Sequence, residues 1–297
     1  MRAPLAALLS LTACEATITE RTFKPDDGPP PIVIGPGGEV VDPSQPPPPK
    51  VSACKPGERL PGPAPVRRMT RFEYDNTVRD LLGDTTRPAQ AFSAEEEALG
   101  FGNNAAALVT SSALVDQQLA AAEGIAARLT SRLASLSWYS CPTGTAPRGC
   151  AERFVDAFGP RAYRRPLAAA ERTELLALYD RGATIGGLDG TTTLTPLVAG
   201  LRSVIEGVLM SPDFLYRVEE RGAETSRLSQ HAIASRLSYT LWASQPDDAL
   251  RAAADEGRLS TVEEVAAQAK RMLADAKARA VVGEFHQQWL DFDRIVN

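Results

Sequence analysis

Histidine is nearly absent from this chain: His231 and His286 are the two in 297 residues. Cysteine is also scarce, at four, and no cysteine stands beside a histidine. A structural metal site wants several Cys or His ligands at close spacing, and this sequence offers no such set. There is no phosphate-binding glycine loop, no nucleophile elbow and no zinc-protease helix motif. Positive charge is not in excess: 32 Lys and Arg stand against 37 Asp and Glu, a formal net charge of −5. That balance lacks the electrostatic footprint of a nucleic-acid binder. The basic clusters at Arg67, Arg68 and Arg71 and at Arg161, Arg164 and Arg165 are too short to reverse it. No run after residue 13 approaches the roughly 20 apolar residues of a transmembrane helix. Alternating period-2 strands and hairpin signals are missing as well.

What the chain does have begins at Met1. One charge at Arg2, an apolar run over Ala3–Ala13 and the ending Leu11-Thr12-Ala13-Cys14 form a secretory signal of the kind bacteria use for lipoproteins. Cys14 is the predicted lipidation site and the new N-terminus, and removal of Arg2 takes the net charge from −5 to −6 (−5 − 1). Acyl chains on Cys14 predict one partner, the lipid bilayer, at the outer membrane or cell surface, with the periplasmic face also open.

Residues 15–66 then hold 14 of the 23 prolines, including Pro29-Pro30-Pro31 and Pro46-Pro47-Pro48-Pro49. With few large apolar groups, this stretch cannot bury enough surface to offset its ordering entropy. Proline runs favour extended polyproline II at about 3.1 Å per residue. The predicted organisation is a signal peptide over 1–13, a lipidated cysteine and disordered linker over 14–66, and helical modules over 67–140, 141–210 and 211–297.

An exported protein keeps disulfides. Cys141 and Cys150 flank a turn-forming loop with Pro142, Gly144, Pro147 and Gly149, so the two are expected to pair. Cys54 is then the odd one out.

From Arg67 onward the apolar periodicity is helical, and the predicted class is all-α. Thr70 and Glu73 form a capping box, followed by Tyr74, Val78, Leu81 and Leu82 on one face and Gly83 at the end. Stripes run from Leu114 to Leu136 and from Pro196 to Met210. Ser211-Pro212-Asp213 and Pro246-Asp247-Asp248 punctuate two further helix starts. Ser260 with Glu263 reads as another capping box, and Gly257 as the end of the preceding helix. The last helix offers Ala278, Val281, Val282, Phe285 and Trp289; Trp138, Trp242 and Trp289 read as core, the alternative being an exposed pair that stacks on a sugar. Ala168 stands where a capping Ser or Thr would be expected, which weakens that start.

Three segments resemble modules of one exported bacterial family of unknown function. Arg68-Met69-Thr70-Arg71-Phe72-Glu73-Tyr74 through Gly83 is similar to the module called DUF fifteen-eighty-seven. Arg161-Ala162-Tyr163-Arg164-Arg165-Pro166-Leu167 is similar to DUF fifteen-ninety-five. Ser211-Pro212-Asp213-Phe214-Leu215-Tyr216-Arg217 marks the junction to the start of DUF fifteen-ninety-two, in which Ala234–Trp242 and Asp247-Asp248 fall. Relatives usually continue into a module with a Cys-x-x-Cys-His haem motif; this chain has none and reads as truncated before it, so no cofactor is expected in it.

The residues that could form a site are Arg164, Arg165, Asp247 and Asp248. Arginine's planar fork suits carboxylate, sulfate or phosphate, and aspartates can move protons. The structural alternative is cheaper: acids stabilise helix N-termini, Glu73 completes a capping box, and Arg236 finds a nearby acid. Solitary His231 and His286 read as packing or surface residues. The leading function is a lipid-anchored binding or scaffolding module with a protein or polymer partner. The alternatives are part of a c-type-haem redox protein, or an enzyme acting on an exported polymer such as polysaccharide.

Overall fold

The computed structural model describes residues 33–34, 40–41, 65–98, 100–186, 194–219 and 228–291; the expected signal segment and most of the expected linker, with Cys14 and Cys54, lie outside them. The chain divides into two compact units, residues 1–60 and 61–297. In the first, β1 (Val33–Ile34) and β2 (Val40–Val41) pair antiparallel, with Val33 opposite Val41.

The second unit is all-α apart from one short strand pair. β3 (Arg67–Arg68) leads into α1 (Arg71–Leu82), a 3-10 turn (Pro88–Ala91), α2 (Ser112–Thr130) and a second 3-10 turn (Leu133–Ser135). Then come α3 (Pro147–Ala162), α4 (Ala169–Ile185), α5 (Pro196–Met210), α6 (Pro212–Leu215) and β4 (Tyr216–Arg217). α7 (Gln230–Trp242), α8 (Asp248–Asp255), α9 (Val262–Leu273) and α10 (Ala276–Trp289) complete it. β3 pairs antiparallel with β4, Arg67 opposite Arg217. Two-residue strands are too short for any apolar alternation to show, so periodicity does not reveal them.

The helix starts follow from side-chain chemistry. Thr70 Oγ1 accepts the Glu73 amide at 3.1 Å, and Glu73 Oε2 accepts the Thr70 amide at 3.0 Å, so two amides that the helix leaves unpaired are satisfied. Gly83 ends α1 at φ +66°, a left-handed conformation that costs glycine nothing. α5 begins and ends where its apolar stripe does. The capping box expected at Ser260 and Glu263 lies one residue on, at Thr261 and Glu264, because Thr261 adopts the extended N-cap conformation. α2 stops at Thr130, and the stripe to Leu136 is carried by the 3-10 turn instead. At Ala168 there is no side-chain acceptor, but Glu171 Oε2 takes the Ala168 amide at 2.7 Å and supplies half a capping box.

The three sequence modules do not have three cores. α1 to α6 share one large cluster, with Tyr74, Phe154, Phe158, Ile205, Leu209 and Phe214 almost fully buried. Tyr239 of α7 belongs to the same cluster. α4 and α5 lie close because Gly200 faces Tyr179: a Cβ there would sit 2.4 Å from the Tyr179 ring and 2.7 Å from its carbonyl oxygen. α7 to α10 enclose a second, smaller core of Ala234, Trp242, Leu250, Ala253, Leu259 and Met272 among others.

The disulfide between Cys141 and Cys150 is present, with the two Cα atoms 5.2 Å apart. It ties the loop before α3 to that helix's first turn. Closing so short a loop restricts the unfolded chain by about 2–3 kcal/mol.

Candidate functional site

α3 ends at Ala162, and Arg164 then takes a left-handed backbone conformation, φ +60°, that is uncommon for a residue with a Cβ. This turn sends Arg164 inward and leaves Arg165 nearer the surface. Arg164 is 6% exposed, and its Nη2 donates to the carbonyl oxygens of Asp213, Phe214 at 3.0 Å and Tyr216 at 2.9 Å. Its Nη1 donates to the Tyr239 hydroxyl at 3.2 Å. These carbonyls belong to α6 and β4, so Arg164 fastens the end of the second module and reaches the third.

Arg165 forks onto Glu171, with Nη1 to Oε2 at 2.8 Å and Nη2 to Oε1 at 2.7 Å, and also donates to Asp213 at 2.8 Å. The hydrogen bonds to Glu171 raise the Arg165 pKa above its ordinary value, and those from Arg165 hold the Glu171 carboxyl below its own.

The aspartate pair is placed elsewhere. Asp247 caps α8 by accepting the Leu250 amide at 2.9 Å, and Arg271 grips it with bonds of 2.7 and 3.0 Å. Asp248 in the first turn of α8 meets Arg161 at 3.3 Å and Arg251. Here the acids do what the helix N-terminus asks of them. Arg164 and Arg165 thus line one cleft, and Asp247 and Asp248 another of about 170 Å³ with Trp138, Arg161 and Lys277. The structure does not bring the two pairs into one site.

The cleft beside Arg165 has a volume of about 360 Å³ and draws on α3, α4, α7 and α8. His231 stands in it with Nε2 2.8 Å from Asp255 Oδ1, so it is not solitary. Arg172 enters from α4, held to Asp156 by bonds of 2.6 and 2.9 Å. Arg251 lines both clefts. None of these partners is adjacent in sequence, and they gather only when α7 and α8 pack on the α3–α4 turn. His286 keeps its Nδ1 2.7 Å from the Val282 carbonyl oxygen of its own helix, and fits the expected surface role.

Among the other residues singled out, Arg236 pairs with Glu219 at 2.7 Å. Glu73 completes its box and also meets Arg67 at 2.6 Å and Arg217 at 3.1 Å. Trp242 is buried and donates to the Met272 carbonyl at 2.9 Å; Trp138 is half-buried, donates to the Leu81 carbonyl at 3.0 Å and stacks on Phe158. Trp289 departs from the expectation: it is 60% exposed, next to Phe285 in a stack that Phe101 extends. Periodicity alone marks an apolar face without saying whether a neighbour covers it. Among the described residues no group of three or more His, Cys, Asp or Glu could hold a metal ion. No described helix is long and apolar enough to cross a membrane.

Family models match three stretches of the chain. Residues 67–131 match a protein of unknown function (DUF1587), residues 150–219 one described likewise (DUF1595), and residues 228–297 a third (DUF1592). The chain carries these three modules in the order its motifs implied. No curated protein and no solved structure matches it.

Proposed function

We propose that this protein is an exported lipoprotein, held at a membrane by acyl chains on Cys14, whose helical unit serves as a binding or scaffolding module. The reading of the address rests on Leu11-Thr12-Ala13-Cys14 behind its apolar run, followed by a proline-rich stretch suited to a spacer. The reading of the module rests on one observation. The arginines and aspartates that could do chemistry are engaged in pairs that hold helices to one another: Arg164 on three carbonyls, Arg165 on Glu171 and Asp213, Asp247 on Arg271. Groups fixed in this way present a rigid, preorganised surface, which favours recognition. One acyl chain gives only marginal attachment, so stable anchoring requires the two or more chains that bacterial lipoproteins carry.

Metabolic labelling with radioactive palmitate in a bacterial host tests the address. The wild-type chain is expected to take up label and sediment with membranes, and Cys14→Ser to lose both properties. Label or sedimentation retained by Cys14→Ser overturns the lipoprotein reading.

A further inference from the structure

We propose that a cleft between α10 and the loop carrying Phe101 binds a neutral β-1,4-linked oligosaccharide. The proposal deepens the binding-module reading and rests on it, but not on the lipid anchor. The cleft has a volume of about 330 Å³, within the range of small-molecule sites. Its walls come from β3, β4, the start of α1, α7 and α10, with Phe101 and Asn103 on the loop before α2. Two features of different kinds point to its ligand.

The first is a row of aromatic rings. Phe72, Phe101 and Phe285 line the cleft. Phe285 is 48% exposed, and Trp289, one turn further along α10, is more exposed still, its ring inclined 26° to that of Phe285. Phe101 continues the row on the other side, inclined 21°. Large rings left in water forgo the gain of burial, and such patches mark contact sites. A pyranose ring offers a flat C–H face to such a row and a hydroxylated edge to whatever stands beside it. In a β-1,4-linked chain these rings form an extended ribbon, which suits a row laid along a helix.

The second is a balanced set of polar groups with bonding capacity to spare. Arg67 and Arg217 stand against Glu73 and Glu284, so the charges in the lining cancel. Their direct partners do not tip that balance: Arg67 and Arg217 both meet Glu73, and Glu284 meets the neutral Gln288. Glu284 Oε1 accepts from Gln288 Nε2 at 2.6 Å, which leaves Oε2 and the second N–H of that amide. Gln288 Oε1 accepts from the Gly102 amide at 3.2 Å and thereby holds the loop against α10. The Asn103 carbonyl oxygen accepts from Arg67 at 3.3 Å, while its exposed side-chain amide has no partner among the described residues. A hydroxyl both donates and accepts, and the lining offers both kinds of group beside the rings. A charged ligand would meet one like charge for every opposite one. A purely apolar ligand would strip water from these groups and return no hydrogen bond.

The test is calorimetric titration of the full chain, in a detergent without a sugar head group, with cellotetraose, xylotetraose and mannotetraose. At least one is expected to bind in the sub-millimolar range, with the same affinity at low and high salt. Phe285→Ala and Glu284→Gln should each weaken that binding by about tenfold. Val262→Ser, which removes an exposed apolar side chain from α9 outside the cleft, should leave it unchanged. Thermal melts identify a variant that fails to fold; if Phe285→Ala does so, Glu284→Gln carries the test.

No binding of any of the three by about 5 mM, full affinity in either folded cleft variant, or equal loss in Val262→Ser overturns the proposal. Affinity that falls steeply with salt also overturns it, since a neutral ligand gives salt nothing to screen. Binding accompanied by release of shorter sugars, read by chromatography, keeps the sugar site and overturns the binding-module reading. None of these results touches the labelling of Cys14, so the readings fail separately.

Discussion

Residues 65–219 and residues 228–291 are built from the same kind of amphipathic helix but spend their apolar residues differently. The first region buries a cluster rich in large side chains, in which Tyr74 packs edge-on to Phe92 and Phe214, and Trp138, Tyr139, Phe154 and Phe158 form a continuous aromatic group. The second buries four alanines together with Trp242, Leu250, Leu259 and Met272. It leaves Val262, Leu273, Val282, Phe285, Trp289 and Leu290 about half or more exposed. Fully burying one large side chain contributes about 1.5–3 kcal/mol, so the first region has many such contributions and the second few. Amphipathic pattern alone does not determine stability; what matters is whether each apolar stripe meets another.

The sharpest way to break this contrast is a cavity in each core. Phe154→Ala is expected to cost about 4 kcal/mol and to lower the single main melting transition of the whole 61–297 unit. Leu250→Ala removes a smaller side chain and should cost about 3 kcal/mol, with hydrogen exchange rising first in α7 to α10. Uniform exchange throughout the unit in Leu250→Ala would show that the two regions stand or fall together.

A smaller effect is expected at the junction. Asp80 of α1 accepts from Ser244 Oγ at 2.8 Å and from Arg79 at 2.9 Å, with Lys277 of α10 at 3.0 Å. Burial by itself would raise its pKa, but the Arg79 bond, the Lys277 charge and the Ser244 bond together hold it below the ordinary value. The folded state therefore resists protonation more than the unfolded chain does. The stability that this carboxylate adds is complete above the ordinary carboxylate pKa of about 4. It is lost as pH falls through the lower folded value. Asp80→Asn should cost about 2 kcal/mol at neutral pH and nothing once the wild-type group is protonated. A cost that stays constant in denaturant melts from neutral to strongly acidic pH would refute the assignment.

The smallest effect belongs to the exposed stripe. Trp289→Ser should change stability by no more than about 0.5 kcal/mol, while reducing binding of a hydrophobic dye to the folded protein. A loss of several kcal/mol in thermal melts would mean that Trp289 is covered in solution.

The local signals were the legible part of the fold. The Thr70–Glu73 box, Gly83 and the α5 limits follow from chemistry within a few residues, and such chemistry is written in sequence order. The candidate site was less legible, for an identifiable reason. Arg164 and Arg165 stood out as a pair, yet the acceptors of Arg164 are backbone carbonyls, which every residue has and no motif marks. His231 looked solitary because its partner Asp255 lies on the next helix, and Arg172 and Arg251 carried no signal of their own. Trp289 fits an apolar stripe as well as Trp242 does, and only the neighbouring surface distinguishes them.

The pairing of β3 with β4 has one more implication. Arg67 and Arg217 are opposite each other, so the chain enters and leaves the first two modules at neighbouring points, about 5 Å apart. Everything between them is a closed excursion. Such a segment can be lengthened, rewired or circularly permuted without shifting the points where the rest of the chain attaches. In gene-level terms, residues 67–217 are a cassette with one point of entry and exit, whose surface must still present Asp80, Arg161 and Arg164 to the helices that follow.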